Sequence, residues 1–370
     1  MKNKNSILIP SLSLLLALSA NSAFAQSNYK EASNAFARYT QSGDIKNLDN
    51  AKKQLDNIYK TRKDSSKTKV NVLRAMVLSS IAYADSARTI KTDKDPIELT
   101  YQTIGKIREK DRDGYVGELD YVKQNMAAAL IKRANKALKD KNYNAAYQDF
   151  LKVDELNAKS EDVTYNLAVL ANKSEKPQDA VKFYKKLIET GNASAEQYLE
   201  FAALYGKLGE NQLNLTTLEN AKAKYPEDKE ILFQLIQEYS KIKAYDAIVP
   251  IIDQAIAMEP ENIEMNYLAG FANENANNIP VATTFYQKVL ELEPNNYEAN
   301  LALGLLSLKD FLKDTENHEA QYNAQNYLLK ANEIKPYEIN ALKSLALFYE
   351  KAEDAAQLDR VNLLLNQLTN

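Results

Sequence analysis

The chain has 370 residues, 47 Lys and Arg against 50 Asp and Glu, a formal net charge of −3 and no cysteine. Without cysteine there are no disulfides, thiol nucleophiles or thiolate metal sites. The interspersed charges leave no footprint for nucleic acid or an anionic membrane surface. Nine glycines, nine prolines and the lack of alternating apolar runs argue against any β domain.

The chain opens with Lys2 and Lys4, an apolar run from Ile7 to Leu18, and the small-x-small triplet Ala23-Phe24-Ala25. This reads as a secretory signal peptide over 1–25, with a mature chain starting at Gln26. Loss of Lys2 and Lys4 moves the charge from −3 to −5. The apolar run is too short to span a bilayer. No cysteine follows it to carry a lipid anchor, and no later segment is apolar enough to cross a membrane. The expected location is periplasmic or secreted, in a bacterial envelope.

Residues 26–126 read as helical pairs with weak landmarks, either degenerate repeats or an N-terminal cap. One pair spans Tyr29 to Lys60 around Ser42-Gly43-Asp44; a second joins Lys69–Ile90 to Pro96–Glu109. A charged turn, Lys63 to Lys69, separates them. The stretch Glu109 to Asp120, "EKDRDGYVGELD", is similar to a calcium-binding EF-hand loop in its acidic positions and in Gly114. It departs at both ends, with Glu109 for the leading aspartate and Asp120 for the bidentate glutamate. An acidic turn between helices explains the same letters, so no metal is assigned. A long helix is expected from about Gly117 through Leu138.

From residue 127 to 370 the chain is periodic. Pro226, Pro260 and Pro294 lie 34 residues apart. In the segment Ile263 to Asn296, small residues fall at Gly270 and Ala282, an aromatic at Tyr286 and the proline at Pro294. Parts of the set recur in register: Pro260 in the segment from Lys229, with Ile248 a departure; Ala202 and Pro226 from Ala195; Ala168, Ala180 and Tyr184 from Glu161, where Asn192 replaces the proline; and Ala134, Ala146 and Phe150 from Ala127. After Asn296 they return only past an eight-residue insertion near 309–320, and a last pair is expected from Tyr337. A fixed period of this length marks a helix–turn–helix solenoid. Small residues let paired helices approach, and the aromatic fills the gap beside them. Pro177 and Pro280 precede second helices, where a missing N–H costs little. Pro250 falls about one turn into a helix and predicts a distorted start.

The pattern resembles the tetratricopeptide repeat, in six to seven copies. The resemblance implies an all-α, right-handed superhelical solenoid of antiparallel helix pairs. It also implies that first helices line a concave groove through repeat positions two, five, nine, twelve and thirteen. Those positions include Asn135, Tyr165, Phe233, Gln237, Tyr267 and Phe271, which suit an extended peptide or a partner helix. Position two is acidic at Asp162, Glu196, Glu230, Glu264, Glu298 and Glu338. First-turn carboxylates complement the helix dipole; an acidic groove edge would also prefer basic ligands. Some family members clamp a C-terminal carboxylate. Here Asn135 and Asn166 fit that clamp, but Ile131, Glu196 and Glu200 replace its basic residues, so carboxylate capture is not expected.

No phosphate loop, HExxH or GxSxG motif occurs. The single histidine, His318, sits in the insertion between Glu316 and Glu319, read as a solvated extension of two helices. The expected role is a non-catalytic protein-binding scaffold or assembly factor of the envelope, without cofactor or metal. Alternatives are an envelope glycan-associated binder that stacks sugars on its 23 tyrosines, and an accessory subunit of an envelope enzyme complex.

Overall fold

The computed structural model describes residues 25–60, 62–156 and 160–369. Apart from Ala25, the expected signal peptide lies outside them. Every regular element among the described residues is a helix. They form two compact units, Met1–Ala193 and Ser194–Asn370.

The first unit begins with α1 (Ala25–Ser42) and α2 (Ile45–Ile58). Gly43 turns the chain at φ +71°, and Asp44 caps α2 by accepting from the Lys46 N–H at 2.9 Å. One helical turn, α3 (Arg62–Ser65), occupies the charged stretch expected as a plain turn. Then come α4 (Thr68–Ala84) and α5 (Pro96–Ile104). Helix α4 is buried almost all round, and α1, α2, α5 and α6 (Val116–Lys139) pack on it. Its apolar residues show no single face, as expected of an enclosed helix. It is therefore not the one-faced helix of a repeat. Its buried hydroxyls are satisfied locally: Ser79 and Ser80 donate to the Met76 carbonyl, and Ser80 pairs with the Tyr121 hydroxyl at 2.9 Å. Glu109–Tyr115 is a 3₁₀ helix rather than a calcium-type loop. Its Asp111 accepts from the Thr68 hydroxyl at 2.5 Å and from Arg108 at 2.7 Å, tying the turn to α4. After α6 the pairing is regular, with α7 (Tyr143–Glu155), α8 (Glu161–Lys173) and α9 (Pro177–Glu189).

The second unit holds five pairs. They are α10 (Ala195–Lys207) with α11 (Asn211–Lys224), α12 (Lys229–Lys241) with α13 (Tyr245–Met258), and α14 (Ile263–Asn275) with α15 (Ile279–Leu292). Next come α16 (Tyr297–Lys313) with α17 (His318–Ile334), and α18 (Ile339–Lys351) with α19 (Ala355–Thr369).

Two kinds of turn generate the period. Within the pairs from α6–α7 on, except α16–α17, a residue just past the first helix is left-handed: Lys141, Glu175, Gly209, Lys243, Asn277 and Glu353, with φ between +56° and +75°. The next N–H reaches back to the helix, as Asn142 to the Ala137 carbonyl at 2.8 Å and Ala244 to Tyr239 at 2.9 Å. This Schellman closure satisfies carbonyls the helix end leaves open. Only one of these six positions is glycine, so the turn carries no letter that marks it. Between pairs, the proline turns lead into capped helices: Asp228, Asn262 and Asn296 each accept from the N–H three residues on. Asn266 and Asn300 are buried behind the caps and donate to the carbonyls of Pro260 and Pro294 at 3.0 and 3.2 Å.

Close approach is visible at two glycines. A Cβ on Gly270 would lie 2.7 Å from the Tyr286 ring, and one on Gly304 would lie 2.8 Å from Leu328. Helix α13 runs as an α-helix through Pro250, from Tyr245 to Met258. Its cap carbonyl, Ala244, accepts from Ala247, three residues on, but so does Asp44 from Asn47 at α2, which has no proline.

The insertion lengthens α16 and α17 to 17 residues each, against 13 and 14 in α14 and α15. It is not merely solvated: Phe311 is buried against Phe348, ring centroids 5.6 Å apart. His318 opens α17 on the exposed side. Glu338 is the N-cap of α18, one residue outside the helix, so the helical equivalent of the acidic position is Asn340.

Candidate functional site

The first helices of the second unit share one outward-facing strip at repeat positions five and nine. On α14, Tyr267 and Phe271 are one turn apart and lie nearly parallel, centroids 6.3 Å apart at 15°. Tyr245, at the start of α13, meets the edge of Phe271 at 5.1 Å. Tyr286 of α15 lies 5.6 Å from Tyr267. Four aromatic rings therefore form a continuous run across α13, α14 and α15.

These rings are half in the core. Tyr267 packs against a core cluster made of Ala282 and Tyr286 of its own pair and Ala302, Leu303 and Leu306 of the next first helix. Burial, and after it the charges of Glu298 and Glu274, push its phenol up. Tyr286 is fully buried and donates to Glu274 at 2.7 Å; burial and that bond push it far above the usual phenol range. Phe233 on α12 is likewise half-buried against the cluster of Leu232, Ile236 and Ala269, with the Lys229 ammonium 5.4 Å from its centroid. Gln237, one turn on, is exposed. In the first unit, Asn135 is exposed on α6 and Tyr165 is half-buried on α8. The structure thus brings Tyr267 and Phe271 into contact, and places Phe233 in the core cluster that links α12 to α14.

Two residues of the strip escaped sequence reasoning. Leu305 on α16 stands at position nine and is 41% exposed; Leu347 on α18, in the same place after the insertion, is 44% exposed. They continue the line of Gln237 and Phe271. A leucine in a helix of leucines carries no mark of exposure, and the insertion shifts the register needed to find Leu347. At position five the strip runs Leu199, Phe233, Tyr267 and Leu301, all half-buried, and ends at exposed Lys343.

No family model matches the chain. A curated BBSome complex member BBS4 homolog of Drosophila melanogaster is 26% identical over 185 residues, 48% of this chain. The chain spans about a third (35%) of the length of that relative. Among solved structures, MamA from Desulfovibrio magneticus RS-1 matches at 16% identity over 49% of this chain and 98% of its own, with a TM-score of 0.37. YrrB, described as a TPR protein with an unusual peptide-binding site, matches at 19% identity over 47% of this chain and 89% of its own, also at 0.37. The helix pairs, the 34-residue spacing of their turns and the close approach of Gly270 to Tyr286 and of Gly304 to Leu328 between paired helices carry the fold assignment on their own. The chain is an all-α solenoid of antiparallel helix pairs with the spacing of a tetratricopeptide-like array.

Proposed function

We propose that this protein is a non-catalytic scaffold or assembly factor of the cell envelope that holds a peptide segment or helix of another protein on the first-helix face of its second unit. One observation carries the reading. Phe271, Leu305 and Leu347 recur at the same position of successive first helices, and the last two stand more than a third exposed where a monomer gains nothing by exposing them. Aromatic and aliphatic anchors on a rigid stacked support are what a peptide-binding surface needs. The envelope location rests on the leader-like residues 1–25 and is part of the same proposal.

The test uses exposed residues. Truncating Phe233 or Tyr267 would also cut the core, because both rings pack on it. Leu305→Asp and Leu347→Asp leave the core intact. Crosslinking of Gln26–Asn370 in its native envelope fraction, read by mass spectrometry, should capture a protein that the double variant loses. Equal capture by both would move the binding surface elsewhere. Retention on purified glycan without any protein would favour a glycan-associated role instead.

A further inference from the structure

The apolar strip has two edges, and they differ in sign. Along the side formed by the starts of the first helices stand Glu196, Glu230, Glu264 and Glu298, all exposed. Along the opposite side, at position thirteen, stand Lys207, Lys241, Lys309 and Lys351, also exposed, with a gap at Asn275. Eleven residues separate the two rows on α10, α12 and α16, the helices that carry both; α18 has Asn340 at the acidic position. At about 1.5 Å per residue the rims lie roughly 16 Å apart, with the apolar strip between them.

Helix dipoles explain part of this pattern, because acidic first turns and basic last turns are favoured. They do not explain Lys309. Helix α16 runs one turn further, to Lys313, so Lys309 is interior to its helix and still basic at position thirteen. The basic row follows the strip rather than the helix ends. Three rim residues already have partners: Glu298 pairs with Lys335 at 2.9 Å, Lys241 with Glu238 at 2.7 Å, and Glu230 accepts from Gln234 at 2.8 Å. All three contacts are on the surface, where exchange for a new partner costs little.

We infer that the occupant of this strip is an amphipathic helix whose apolar face is flanked by Lys or Arg on one side and by Asp or Glu on the other. The inference rests on the proposed docking role of the same face. Side-chain geometry selects a helix. Residues of an extended strand alternate toward the support and away from it, so a strand cannot fill the strip and reach both rims at once. A helix spreads its residues around its axis and presents apolar, left and right faces together. Its width with side chains, about 10–12 Å, nearly fills the roughly 16 Å between rims. The charge pattern also sets direction. A half-turn of the bound helix about the normal to the strip exchanges its edges, so only one orientation places Lys and Arg on the acidic rim.

The test uses three synthetic 18-residue helical peptides with one shared leucine face. The first has Lys along one edge and Glu along the other, the second Lys on both, the third Glu on both. Binding to Gln26–Asn370 is read by fluorescence anisotropy at low salt. The two-edged peptide should bind about tenfold more tightly than either single-sign peptide. The exposed triple change Lys207→Glu, Lys241→Glu and Lys309→Glu should transfer the preference to the all-Lys peptide. A nitroxide on the N-terminus of the two-edged peptide should broaden the methyl signals of Leu199 or of Leu347, and exchanging the peptide's edges should move the effect to the other end. Equal binding of all three peptides, each lost on Leu305→Asp, would overturn the two-edged occupant and leave the docking face standing. Binding of none, or binding indifferent to Leu305→Asp, would overturn both.

Discussion

Gly270 is where the repeat packs most tightly, so Gly270→Ala tests the packing argument directly. The added methyl would sit 2.7 Å from Cδ1 and Cε1 of Tyr286, about 0.7 Å inside ordinary contact at 3.4 Å. The ring cannot swing aside freely. It is fully buried, its hydroxyl is held by Glu274 at 2.7 Å, and the Tyr267 ring lies 5.6 Å away. Overpacking of this kind costs about 1–3 kcal/mol. Replacing a helical glycine by alanine returns about 1 kcal/mol of propensity. The net expectation is destabilisation by about 0–2 kcal/mol, a fall in melting temperature of up to about 8 °C for a unit of this size. Gly206→Ala is the internal control. Its methyl meets nothing nearer than Asn214 at 3.5 Å, so propensity should win there and the protein should gain about 0.5–1 kcal/mol. Urea unfolding followed by circular dichroism measures both. A cycle with Tyr286→Phe, which removes the Glu274 bond, should lower the cost of Gly270→Ala because the ring can then slide. If Gly270→Ala stabilises the protein as much as Gly206→Ala does, the close approach of α14 and α15 is not what selects glycine there.

Other perturbations follow from the same structure. Asp85 ends α4 with its carboxylate buried, accepting from the Thr89 N–H and hydroxyl at 2.9 Å each and from the Ile90 N–H at 2.7 Å. Burial pushes its pKa up, but the hydrogen bonds from Ile90 and Thr89 outweigh that and hold it below the usual range. A depressed folded pKa contributes stability that is present above the unfolded value, about 3.9, and is lost as pH falls through the folded one. Asp85→Asn should therefore cost about 1–3 kcal/mol at pH 7, with the gap to wild type closing below about pH 4 in thermal melts at stepped pH. Lys243 sits at φ +58°, so Lys243→Gly should relieve left-handed strain and raise stability by up to about 1 kcal/mol; a fall in the urea midpoint would contradict the Schellman reading. Asn300→Ala should cost about 0.5–1.5 kcal/mol, because the buried Asn300 amide ties the turn by donating to the Pro294 and Asn296 carbonyls, and chemical denaturation is the check. Leu305→Asp should leave the melting temperature unchanged within about 2 °C while removing peptide or partner binding, since the side chain is already largely exposed.

The repeat was legible in the sequence because packing writes its demands in residue size. Gly270, Ala282 and Tyr286 recur at fixed spacing since two helices can meet only where small side chains face an aromatic, and Pro226, Pro260 and Pro294 mark where each second helix must stop. From these letters follow the helix pairs, their boundaries and the aromatic pair Tyr267–Phe271. Other features were decided only by the tertiary structure. The left-handed turns at Lys141, Glu175, Lys243 and Asn277 are imposed on ordinary residues by the hydrogen bonds that close each helix end. Helix α4 reads as another apolar helix, and only its neighbours make it an enclosed core. Phe311 leaves solvent because Phe348 reaches it. Phe233 and Tyr267, chosen as ligand anchors, are drawn half into the core by the following first helix, whereas Leu305 and Leu347 are left outside it. Local spacing fixes which residues lie on one helix face, but exposure is settled by what the next helix covers, and that contact is made across the turns rather than along the chain.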